Sequence, residues 1–113
     1  ENISSFEVEN EILGFPGVKE AAVIGVPSEQ SEEEVLAAVS PREGATLDPE
    51  ALVAFLADRM AHYMVPRYIR LMDELPHTST QKVMKQALRD DGVTPGTWDR
   101  ELHGLKLRRE ALT

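Results

Sequence analysis

The sequence contains no cysteine. That excludes a disulfide framework and any thiolate metal site, and it fits a reducing, cytoplasmic setting. There is no apolar run long enough to span a membrane and no signal-peptide pattern. The three histidines, His62, His77 and His103, lack the spacing of metal ligands, so no metal site is expected. Neither a glycine-rich phosphate loop nor a Gly-x-Ser-x-Gly elbow is present. No Ser or Thr has a base at recognisable spacing, and the Asp73-Glu74 pair, an acid/base candidate by residue type, reads more simply as the solvated end of a strand. Taken alone, the chain does not read as a self-sufficient enzyme.

What remains is ordinary globular material: 113 residues, 42% hydrophobic and 28% charged. That is one domain by length, large enough to bury roughly two-thirds of its unfolded surface. The formal net charge of −8 argues against nucleic-acid binding, which needs a cationic surface. The charge is uneven. Residues 1–35 hold nine acids and one base, whereas residues 59–113 hold ten bases and seven acids. A local anion-binding surface in the second half and a simple solvated face are both compatible with this pattern.

Ser4 and Glu7 have capping-box spacing, and Val8, Ile12 and Phe15 follow at helical intervals until Pro16-Gly17. Residues 18–26 are short, apolar and β-branched, predicting a buried strand that Pro27 stops. After an acidic loop over 28–34, residues 35–40 form a second strand, and the short link implies antiparallel pairing. Asp48-Pro49-Glu50 opens a helix with a cap, a proline at the first position and an acid. Its stripe of Leu52, Phe55, Leu56 and Met60 is read as core. Residues 67–71 alternate as a third strand.

Pro76 opens a loop to Lys82, and Thr78, Ser79 and Thr80 are available as caps for a short helix to about Arg89. That helix start holds Lys82 and Lys85 and no acid, against the helix dipole. Such a local inconsistency marks a candidate functional position, although a solvated lysine would look the same. Beyond the turns at Asp91-Gly92 and Pro95-Gly96, Trp98, Leu102 and Leu105 predict an appended tail helix. The expected fold is α+β: a three-stranded sheet covered by helices in the order α-β-β-α-β-α, plus the tail helix.

GFPGVKEAAVIGVPSE, the second-strand run and HYMVPRYIRLMDELPHTSTQKVMKQALR, in that order, resemble the small C-terminal domain of adenylate-forming enzymes. The AMP-forming acyl-CoA synthetases are the nearest branch, and GVTPGTWDRE is similar to ligases of the crotonobetaine/carnitine-CoA type. The resemblance covers residues 1–90, leaving 91–113 as linker and tail. It implies a piece of a longer ligase. There a carboxylic acid attacks the α-phosphate of ATP to give acyl-AMP and pyrophosphate, and coenzyme A thiol then displaces AMP. ATP and coenzyme A are thus substrates. The phosphate loop, the acyl pocket and Mg2+ are expected in an N-terminal adenylation domain, which would be this domain's partner.

By the same resemblance, Lys82 matches the family's adenylation lysine, whose ammonium would stabilise charge crowded between carboxylate and phosphate. Ser4 and Ser5, just after the hinge expected upstream of Glu1, match positions lining the coenzyme A tunnel. The chain departs from the family pattern at Gln81, where glycine is usual, and at Ser31-Glu32, where Gly-Glu is usual. Alone, the fragment is expected to fold and to be inactive. Two other readings stay open. One is a free-standing α+β ligand-binding or regulatory module, and the other is a scaffold whose basic run Lys106-Leu107-Arg108-Arg109 binds a partner.

Overall fold

The computed structural model describes residues 4–27 and 33–102. Ser31-Glu32, Leu105 and the basic run over 106–109 therefore lie outside the described residues. The elements follow the sequence closely. Helix α1 (Ser5–Leu13) starts at Ser4, whose Oγ accepts from the Glu7 N–H at 3.3 Å. Val8 and Ile12 form its buried stripe. Helix α2 (Pro49–Ala57) starts at Asp48, whose carboxylate accepts from the Glu50 N–H at 3.1 Å. Such caps satisfy backbone donors that have no partner inside the helix.

Strands β1 (Val18–Pro27) and β2 (Glu33–Pro41) pair antiparallel, as the short connection implied. From β2 the chain crosses over through α2 and a single 3-10 turn at His62–Met64 to β3 (Tyr68–Leu71), which runs parallel to β2. A parallel neighbour requires such a long connection, and the helix supplies it. The sheet order is β1-β2-β3-β4. Residues 35–40 of β2 are buried throughout. This central strand feeds both faces, so its sequence reads as a continuous apolar run.

One face packs α1 and α2 against Val23, Val35, Ala37, Val39 and Ile69 around Leu52 and Leu56. Phe15 meets Phe55 edge-on, with ring centroids 5.2 Å apart, and closes the rim. The other face gathers Ala22, Ile24, Leu36, Ala38 and Tyr68 under Leu75 and Leu88. Leu88 belongs to α3 (Lys85–Asp91).

Two expectations need correction. The sheet has four strands, not three, because Trp98–Asp99 is strand β4, antiparallel to β3, where a helix start was expected. The helical spacing of Trp98 and Leu102 misled because Trp98 packs on the α1/α2 core as a strand residue while Leu102 is exposed. The third helix begins at Lys85 rather than Lys82, with Met84 at its N-cap and no side-chain cap. Thr78, Ser79 and Thr80 belong to a different turn.

Candidate functional site

That turn is a tight hairpin. His77 and Val83 face each other as an isolated antiparallel bridge. Within it the Thr78 N–H donates to the Lys82 carbonyl at 2.7 Å, and the Gln81 N–H donates to the Thr78 carbonyl at 3.0 Å. Thr78 Oγ1 accepts from the backbone N–H groups of Thr80, at 3.3 Å, and Lys82, at 3.2 Å. The hydroxyls of Thr78 and Thr80 lie 3.0 Å apart. The Met84 N–H donates to the Pro76 carbonyl at 2.8 Å and closes the base. Short hydroxyl residues suit this segment because their side chains bind nearby backbone groups and compete with helix. The polar residues expected to cap a helix instead brace a loop.

Lys82 is exposed beside the tip of this hairpin, immediately before half-buried Val83, which packs on the second core. Its backbone is therefore fixed while its ammonium is presented to solvent. The dipole conflict expected at Lys82 does not arise, since Lys82 precedes the helix. It falls on Lys85, the first helical residue, and is answered there. Lys85 Nζ lies 2.7 Å from Glu9 Oε2 and donates to Ser5 Oγ at 3.3 Å. The same Glu9 oxygen accepts from the Val23 N–H of edge strand β1 at 2.8 Å. One carboxylate thus joins α1, β1 and α3, and it shields part of an otherwise open sheet edge.

Gln81 has φ 70°, the one non-glycine positive φ among the described residues. Left-handed backbone brings Cβ against the following carbonyl, at roughly 1–2 kcal/mol. Glycine escapes that penalty but loses more conformational freedom on folding. The glycine that the sequence resemblance led one to expect here would have a conformational reason, and this chain meets the geometry with a side chain. Gln81→Gly is expected to stabilise the chain by about 0.5–1 kcal/mol, read as a higher urea midpoint at unchanged slope. A lower midpoint would mean that the Gln81 side chain contributes more than its backbone conformation costs.

The sequence-identified positions fall into two places. Ser4 is the exposed N-cap of α1, and Ser5 is half-buried against Lys85. Lys82 stands three residues from Lys85, so the two segments neighbour one another through the Lys85 side chain. Asp73 and Glu74 are exposed just after β3, as a strand end should be. His62 is half-buried, and His103 lies outside the described residues. No group of three or more His, Asp or Glu side chains is placed to hold a metal among the described residues. None of the described helices is long and apolar enough to cross a membrane.

A charged cluster that the sequence did not reveal holds the far edge of the sheet. Arg67 forks onto Asp99, with Nε to Oδ1 at 3.1 Å and Nη2 to Oδ2 at 3.2 Å. Glu34 and Glu101 stand farther out at 3.5 and 3.6 Å, and the guanidinium lies over the Tyr68 ring at 4.8 Å. Burial pushes the Asp99 carboxyl up, but hydrogen bonds from Arg67 and the Glu101 N–H, with the positive charge of Arg67, outweigh it and hold the group below its ordinary value. The hydrogen bond to Asp99 raises Arg67 further, against its own desolvation. An acid 32 residues from its base has no local spacing to announce it.

The geometry is that of an α+β module displaying a charged hairpin at its surface. Residues 7–82 match the AMP-binding enzyme C-terminal domain. The chain belongs to this family. It is 44% identical over 89 residues to a feruloyl-CoA synthase of Amycolatopsis sp., covering 79% of this chain and 18% of that protein. It is 35% identical over 89 residues to a crotonobetaine/carnitine–CoA ligase of Salmonella arizonae, covering 79% and 17%. Among solved structures, apo MatB from Rhodopseudomonas palustris superposes with a TM-score of 0.76 at 38% identity, covering 80% of this chain and 18% of that one. The chain spans about a fifth of the length of the relatives it matches.

Proposed function

We propose that this chain, over residues 1–90, is the mobile C-terminal domain of an AMP-forming acyl-CoA ligase, with 91–113 as linker and tail. Its substrates would be ATP, a carboxylic acid and coenzyme A, and its partner the N-terminal adenylation domain of the same polypeptide, working in the cytoplasm. Phosphate loop, acyl pocket and Mg2+ ligands belong to that partner domain. Lys82 carries the first step. When the carboxylate approaches the α-phosphate, like charges crowd together, and an ammonium introduced there stabilises the forming bond. Lysine suits this because it is a compact point charge on a long stem.

The observation that carries the reading is Lys82 itself, exposed beside the tip of a hairpin with a hydrogen-bonded backbone. A side chain that must enter another domain's site needs both exposure and a fixed root. After rotation of the domain, Ser4 and Ser5 at the start of α1 would line the channel for the pantetheine arm of coenzyme A.

The test is an assay of the intact ligase carrying this domain against a panel of carboxylic acids. Acid-dependent pyrophosphate release without coenzyme A, and thioester only with it, is the expected result. Ligand binding with neither product would favour the free-standing module. The isolated chain is expected to fold and to release no pyrophosphate under the same conditions.

A further inference from the structure

The Lys82 hairpin is stiff within itself, but stiffness alone does not aim it. Val83 packs it on the second core, and its polar tie to the sheet comes from His77, where Nε2 lies 3.0 Å from Glu20 Oε2 on β1. Both side chains are partly buried, at 16% and 33% exposure. His77 is also the residue that bridges to Val83, next to Lys82. A pull on the His77 ring is therefore transmitted to the root of Lys82 through one strand bridge.

Glu20 reaches this place because of an irregularity in β1. The β1/β2 register shifts between Val18 and Glu20, with Val18 opposite Pro41 and Glu20 opposite Ser40. Lys19 is the extra residue of a bulge. Val18, Ala21 and Val23 all belong to the α1/α2 face, whereas Ala22, Ile24 and Val26 belong to the α3 face. In a regular strand Val18 would share a face with Ala22. The bulge instead turns Val18 into the first core and leaves Glu20 in step with Ala22, on the face where Leu75 and Val83 bring the hairpin. Bulges commonly re-aim a side chain in this way beside functional sites.

We infer that His77 and Glu20 form a positioning pair, fixing the direction in which the hairpin presents Lys82. The inference rests on the proposed role of Lys82 and adds two residues to it. Neither residue touches a reacting atom. Their effect comes through placement, which matters steeply when a charge must meet a developing bond.

The pair is tested in the full-length ligase by measuring pyrophosphate release and, separately, thioester formation from supplied acyl-adenylate. His77→Ala is expected to lower kcat for adenylation by about 10- to 100-fold, with KM for ATP nearly unchanged and the thioester step unaffected. Glu20→Ala should do the same, and the double variant should be no worse than either single, because the two residues act as one unit. His77→Gln, which keeps a donor near the Nε2 position, should recover most of the rate.

Wild-type adenylation in His77→Ala, additive losses in the double variant, or an equal fall in both half-reactions would overturn the inference. Lys82→Ala serves as the control. If it leaves adenylation intact, the functional reading fails. If it abolishes adenylation while His77→Ala does nothing, only the positioning pair fails.

Discussion

Lys82→Ala in the full-length ligase is expected to slow acyl-adenylate formation by about 100- to 1,000-fold, the usual cost of removing one preorganised charge-stabilising group. Thioester formation from supplied acyl-AMP should change little, because the second step would use another face of the domain. The exposed position of Lys82 makes the variant informative. An exposed lysine has little packing to lose, so the thermal midpoint should stay within a degree or two of the parent, as roughly ±0.5 kcal/mol implies for a surface change. Lys82→Arg should recover little of the rate, since a planar fork does not occupy the volume of a single ammonium. Equal loss of both half-reactions, or a lowered midpoint, would point to damage elsewhere.

Asp99→Ala is expected to cost stability rather than chemistry. Arg67 and Asp99 are each less than a tenth exposed. Removing the acid leaves a guanidinium that cannot shed its proton in a largely dry place. Breaking a buried pair from one side costs about 3–5 kcal/mol. Glu34 and Glu101, at 3.5 and 3.6 Å, offer partial compensation, so about 3 kcal/mol is expected, the lower end of that range. That corresponds to a melting point roughly 10–20 °C lower.

The damage should centre on β4, whose ladder comprises only Tyr68–Asp99 and Ile69–Trp98. Two residue pairs hold a strand weakly, and the Arg67 fork reinforces it beside Arg100, whose N–H donates to the Arg67 carbonyl at 2.8 Å and whose Nε donates to the Pro66 carbonyl at 3.3 Å. Replacing both partners together, as Arg67→Met with Asp99→Leu, should cost much less than the single change. A double variant as unstable as Asp99→Ala would show that the site needs charge.

Asp99 also sets a pH dependence. Its folded value lies below the ordinary carboxylate value. The stabilisation is therefore complete above the unfolded value of about 3.9 and is lost as pH falls through the lower folded value. Asp99→Asn should flatten that acid limb of the unfolding curve while leaving stability above neutrality independent of pH. An unchanged acid limb would assign it to other carboxylates.

Most of the fold was legible because its signals are local. Ser4 and Asp48 announce their helices through spacing to Glu7 and Glu50, and the buried character of β2 shows in an unbroken apolar run. Strand β4 was not legible. Two residues carry no period, and the force that holds them comes from Arg67, distant in sequence.

At the candidate site the sequence singled out Lys82 but misread its setting, a hairpin rather than a helix start. Thr78, Ser79 and Thr80 suit both a helix cap and a hairpin, and only the bridge from His77 to Val83 decides between them. The Gln81 conformation had a visible trace, the missing glycine. The Glu20 partnership had none, because it depends on a bulge that composition does not mark.

The most direct measurement is a structure of the intact ligase with ATP and its acid, or an acyl-adenylate mimic, in the adenylation arrangement. The amine of Lys82 should stand within hydrogen-bonding distance, about 3 Å, of the α-phosphate or the acyl carboxylate. An amine that contacts only its own domain there, with the nucleotide bound beyond its reach, would contradict the account.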